Sequence, residues 1–166
     1  MSKRLIARPP PVSKVGGSVL TGPRAYARAA RWLLETRDPA SPPGFRAPLL
    51  VVVSAENGVT DRLQAEAEAI VAAPDSRARD LLWATGELRS AALLALHLQG
   101  RRGVPPALGV HEAGIRVSST GLGVRTRLIA RALEAHAVVV VPGFLASNGA
   151  GEIVGPRSTL SSYVFT

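Results

Sequence analysis

The chain has 166 residues, enough to bury a substantial core and most economically one domain. Hydrophobic content is 46% but aromatic content only 4%, so Ala, Val and Leu must fill the interior. The absence of cysteine excludes disulfides and thiolate chemistry and is compatible with a reducing cytoplasm. Net charge is +8, from 20 basic and 12 acidic residues, and lysine contributes only Lys3 and Lys14. The arginines are scattered (Arg24, Arg28, Arg31, Arg62, Arg77, Arg89, Arg125, Arg131) and lack interleaved aromatics. That pattern reads as solvated faces, with an anionic small ligand or partner the alternative and nucleic acid the weakest reading.

The N-terminus is basic but runs into Pro9–Pro11 rather than an apolar stretch, so residues 1–11 read as a flexible lead-in without a signal peptide. Val12–Val15 reads as a first strand, followed by Gly16-Gly17-Ser18. Pro23 suits the first position of a helix over residues 25–35. Asp38 to Gly44 reads as a proline-rich loop. Leu49–Ser54 has the apolar run of a buried parallel strand. Thr60 and Asp61 are placed to cap a helix reaching about Ala72. A longer helix covers residues 78–99, where Gly86 marks a possible break, and Arg101, Arg102 and Gly103 close it. After a short segment ending at Val117, residues 121–135 read as one helix with Leu122, Ile129 and Leu133 on a face. Ala137–Val141 is a third buried strand, and residues 147–154 form a hairpin around a turn-rich tip. Alternating strand and helix predict an α/β fold: a three-layer αβα sandwich with a mostly parallel sheet. The apolar runs are far too short to span a bilayer.

Three segments carry candidate chemistry. Lys14-Val15-Gly16-Gly17-Ser18 leaves a strand with two glycines, which let backbone amides approach a phosphate while Lys14 adds a point charge. A plain structural turn explains the same residues. Ser54 to Asp61 joins a strand's carboxyl end to a helix N-terminus, where anionic ligands are favoured; helix capping is the simpler role for Thr60 and Asp61. Glu87, beside Gly86 in an apolar helix, offers a carboxylate to a ligand ammonium, or else is a neighbour of Arg89 on a wetted face. His97, His111 and His136 are dispersed without metal-ligand spacing, so no metal site is expected.

Together and in order, KVGGS, SAENGVTD, GELRSAALLA and GFLASNGAGEI resemble the amino-acid kinase family, most closely the catalytic domain of aspartokinase, over residues 12–155. The resemblance implies the N-terminal part of that fold. It implies that Lys14, Gly16, Gly17 and Ser18 face a transferable phosphate, with Ser54 nearest the reacting groups and Lys14 and Ser54 the catalytic candidates. Thr60 and Glu87 would hold an amino-acid substrate, Glu87 toward its amino group. The family's next segment, Thr-Thr-Leu-Gly-Arg-Gly-Gly-Ser-Asp, is here Val154-Gly155-Pro156-Arg157-Ser158-Thr159-Leu160-Ser161-Ser162. One deletion aligns Arg157 with the arginine that grips the substrate carboxylate, but no register restores the aspartate. The family's nucleotide half follows that loop and is not matched in these residues, and no Walker-type phosphate loop replaces it.

The expectation is therefore an impaired or non-catalytic subunit that binds a small amino acid or anionic metabolite, or serves as a regulatory subunit. The alternative is one half of a split kinase that phosphorylates a carboxylate, completed by a partner. ATP and Mg2+ are expected only in that second case, and the chain alone is expected to need no cofactor. Association with itself or with a related kinase subunit is expected, in the cytoplasm and without a membrane.

Overall fold

A computed structural model describes residues 10–35, 47–102, 107–118 and 121–155, with only the backbone of 100–102. Three parallel strands form the central sheet: β1 (Val12–Val15), β2 (Leu49–Val53) and β5 (Val138–Pro142), in the order β1-β2-β5. Their sequences VSKV, LLVVV and VVVVP are rich in β-branched residues, which pack well on a pleated surface.

Alternation along β2 sends side chains to two separate cores. Val51 and Val53, with Val15, Val138 and Val140, meet Tyr26, Ala30 and Leu33 of α1 (Pro23–Glu35) and Ala91, Leu94 and Leu98 of α3 (Ser76–Arg102). On the other face Val139 and Val141 meet Ile129 and Leu133 of α5 (Thr126–Ala135) and Ala113 of α4 (Val110–Ala113). The expected three layers are thus present, each face closed by aliphatic side chains with few rings. Tyr26 adds a buried polar tie, its hydroxyl 2.9 Å from Ser90 Oγ across α1 and α3. His97 of α3 is half-buried and stacks on the Tyr26 ring.

A second, smaller sheet has the order β4-β3-β6-β7, from β3 (Ile115–Ser118), β4 (Gly121–Val124), β6 (Ala146–Ser147) and β7 (Ile153–Val154). Antiparallel β6 and β7 are the expected hairpin, with Asn148 bracing its tip through Glu152 and the Ala150 amide. The single helix read over residues 121–135 is corrected: residues 121–124 are a strand paired with β3, and the helix starts at Thr126. Two glycines in GLGV weaken a helix, and the neighbouring strand supplies the backbone partners.

Two further expectations change. Thr60 and Asp61 do not cap α2 (Val59–Ile70); Gly58 occupies the cap with φ 74°, no side chain bonds there, and both residues lie in the exposed first turn. Gly86 does not interrupt α3, which runs unbroken for 27 residues. A Cβ at Gly86 would stand 2.9 Å from Val59 Cγ1 and 3.4 Å from the Ala55 Cβ, so glycine is needed for close packing of α2 on α3. The proline-rich loop read over residues 38–44 lies outside the described residues.

The buried face of α3 includes Asp80, 2% exposed, whose Oδ2 accepts the Gly155 amide at 2.9 Å just beyond β7. Arg77 reaches the same hairpin through Glu152 at 3.2 Å. Removing a buried acceptor strands its donor, so Asp80→Ala should cost about 1–3 kcal/mol of unfolding free energy. Exposed Glu134→Ala should stay within about 0.5 kcal/mol in the same denaturant titration.

Candidate active site

In open parallel sheets, ligands bind beyond the carboxyl ends of the strands. Here those ends present three loops: residues 16–22 after β1, 54–58 after β2 and 143–145 after β5. The Ser54 amide donates to Val15 O at 3.0 Å and the Gly143 amide to Val53 O at 2.7 Å, locking each loop to its neighbour.

The first two loops interlock more tightly still. Gly16 is extended, and Gly17–Val19 forms a single 3-10 turn. A Cβ on Gly17 would lie 2.3 Å from Ala55 O, so the glycine loop rests directly on the backbone after β2. Asn57 N donates to Leu20 O at 3.3 Å, and the Gly22 amide donates to Glu56 Oε1 at 2.6 Å. Glu56 Oε2 in turn accepts from Arg89 of α3 at 3.0 Å. The Arg89 guanidinium and then the Gly22 amide hold the Glu56 carboxyl below the usual carboxylate range. Sequence reasoning missed Glu56, because its partners are 33 and 34 residues away and no local pattern announces them.

Beneath these loops α3 delivers Glu87. Its side chain is buried and the residue 7% exposed, so it is not a neighbour of Arg89 on a wetted face. A Cβ at Gly143 would stand 3.5 Å from Glu87 Oε2 and 3.4 Å from Ser54 Oγ, so the three groups surround one small space. The Ala55 amide supports the carboxylate, but Oε2 has no hydrogen-bond partner among the described residues. Burial pushes the Glu87 carboxyl up to about 7, against the smaller opposing effect of the Ala55 amide. A desolvated carboxylate with an unused oxygen is well suited to accept from a ligand ammonium.

The sequence candidates therefore divide. Ser54, Glu87, Gly16 and Gly17 sit on adjoining strand-end loops and the helix beneath them. Lys14, one residue before the end of β1, is exposed and places Nζ 5.6 Å from the centre of the Phe144 ring. Ser18 and Thr60 are exposed on the flanking turn and helix. Arg157 and residues 158–162 lie outside the described residues. No group of three His, Asp or Glu side chains among the described residues could hold a metal ion, so these residues alone do not fit one. None of the described helices is long and apolar enough to cross a membrane.

The glycine-lined loops at the ends of the parallel sheet thus lie over a buried glutamate. The family model described as "Amino acid kinase family" matches residues 10–163, and the chain belongs to that family. Among curated proteins, it is 36% identical over 110 residues to the aspartokinase of Geobacillus stearothermophilus, covering 63% of this chain and 27% of that protein. It is 38% identical over 112 residues to the aspartokinase of Thermus thermophilus, with the same two coverages of 63% and 27%. The chain thus spans about a quarter of the length of the curated relatives it matches. The crystal structure of aspartate kinase from Synechocystis superposes with a TM-score of 0.72 at 29% identity, covering 86% of this chain and 23% of that one. E. coli aspartokinase III in complex with lysine and aspartate shares the fold, with a TM-score of 0.66 at 20% identity over 88% of this chain and 43% of that one.

Proposed function

We propose that these residues form the amino-acid-binding side of an aspartokinase-like site and that the chain by itself binds a small amino acid without phosphorylating it. The observation that carries the reading is Glu87: buried, with Oε2 unpaired among the described residues, facing Ser54 and Gly143 at the strand ends. Burying an unpaired carboxylate costs free energy, and an incoming ammonium would recover it. In this reading Glu87 takes the amino group, and Thr60 at the N-terminal turn of α2 and Arg157 take the ligand's other polar groups. Ser54 lies against the reacting end.

The catalytic side of the reading is weaker. Phosphoryl transfer depends on positioned charge around the moving group. Lys14 and the Gly16–Ser18 loop can approach a phosphate, but residues 153–166 contain no Asp or Glu to organise the transfer. A second reading, favoured by retention of Lys14 and the glycine loop, is a split kinase in which another polypeptide supplies the nucleotide-binding half, with ATP and Mg2+, for transfer to the substrate carboxylate. Association with a second copy or a related kinase subunit, in the cytoplasm, belongs to both readings.

Calorimetry with aspartate, a panel of other small amino acids and ATP separates these possibilities. The expected result is saturable heat with at least one amino acid and none with ATP. Robust ATP binding, or ADP release from ATP and aspartate by the chain alone, would overturn the non-catalytic reading.

A further inference from the structure

Phe144 is the one non-glycine residue with a left-handed backbone among the described residues, at φ 53°. Bulky side chains adopt that conformation at a cost and keep it only where surrounding structure dictates it. Burial of the ring is not the cause, because Phe144 is 51% exposed. The turn is instead pinned from both sides: Gly143 N is bonded to Val53 O at 2.7 Å, while Leu145 and Ala146 are 3% and 0% exposed. The result is that an exposed ring faces Lys14 Nζ at 5.6 Å, inside the range at which a ring face attracts an ammonium. Lys14 takes part in none of the ion pairs found among the described residues.

We propose that Phe144 is a positioning residue: its ring holds the Lys14 ammonium at the mouth of the Gly16–Ser18 loop, ready for a phosphate-like anion. The proposal rests on the reading above that Lys14 faces such a group. A lysine side chain has a long flexible stem, and ordering it on binding costs entropy. A ring that already restrains the ammonium removes part of that cost, and an exposed cation–π contact is of a size to matter several-fold. The strain at Phe144 thereby serves a neighbour's placement and not core packing.

The chain has two lysines, Lys3 and Lys14, so lysine-selective 13C labelling yields two side-chain ε-CH2 signals. One is expected to be shifted upfield by the Phe144 ring and to vanish in Lys14→Met. The shift should collapse in Phe144→Leu and persist in Phe144→Tyr. Titration with inorganic phosphate should give a Kd weaker by roughly two- to fivefold in Phe144→Leu and unchanged in Phe144→Tyr. Backbone amide spectra establish folding, and Phe144→Gly, which suits the left-handed backbone, is the ring-less substitute should the leucine variant not fold. Coincident lysine signals in the wild type, or a ring-less variant that keeps both shift and affinity, would overturn the proposal. Phosphate affinity unaffected by Lys14→Met would instead overturn the assignment of Lys14 to the anion, while the ring-current comparison still decides the role of Phe144.

Discussion

Glu87→Gln is expected to weaken amino-acid binding about 10- to 100-fold, the size of a lost hydrogen bond to a charged group. The substitution keeps the shape of a side chain buried beside Gly143 and Ser54 but removes its charge. Because burial raises the carboxyl to about 7, affinity for an ammonium ligand in the wild type should rise as pH climbs through 7. Stability should run the opposite way. With the folded value above the ordinary 4.5, the folded state binds the proton more tightly than the unfolded chain. The associated stabilisation is full below about pH 4.5 and lost as pH rises through about 7, on the order of 3 kcal/mol in all. Denaturant titrations from pH 4 to 8 should therefore show a loss with rising pH that Glu87→Gln lacks. Identical pH profiles for the two proteins, or undiminished affinity in the variant, would contradict the assignment.

Gly17→Ala should cost about 3 kcal/mol, the upper end of the usual overpacking range, and should abolish ligand binding. The added methyl would lie 2.3 Å from Ala55 O, a backbone atom in a loop already fixed through Ser54, Asn57 and Glu56. Neither partner has a flexible side chain to move aside. Gly16→Ala is the matched control. Gly16 has an ordinary extended backbone, and the nearest atom to its added methyl is Ser18 Oγ at 3.9 Å. Its stability should change by no more than about 0.5 kcal/mol. Equal effects at the two positions, measured by denaturant midpoint, would mean that the loops do not bear on each other as described.

What the sequence disclosed was local and periodic. Runs of valine and leucine marked β2 and β5, the short Val12–Val15 segment before two glycines marked β1, the Asn-Gly-rich tip marked the hairpin, and Gly-Glu within an apolar helix drew attention to a carboxylate that is buried. The misreadings occurred where distant partners decide. Residues 121–124 are a strand because β3 lies beside them. Gly86 looked like a break because its reason, Val59 on another helix, is 27 positions away. Thr60 looked like a cap because chemistry favours it, yet the cap falls two positions earlier, at Gly58. Glu56, Asp80 and Phe144 drew no attention, since an ion pair, an accepted amide and a ring contact across loops leave no trace in spacing.

The continuity of α3 has a mechanical consequence. At about 1.5 Å per residue its 27 residues make a rod of roughly 40 Å. Asp80, which holds the chain after the hairpin, and Glu87, which faces the strand ends, lie two turns apart on one side of it. A glycine that had truly broken the rod would have placed a joint between them. Without one, the two carboxylates are carried on a single unbroken element, so the anchor at Gly155 and the floor beneath the strand-end loops keep a fixed spacing along it. Any opening or closing over a ligand must then be taken up by the loops above, leaving the helix as the fixed frame.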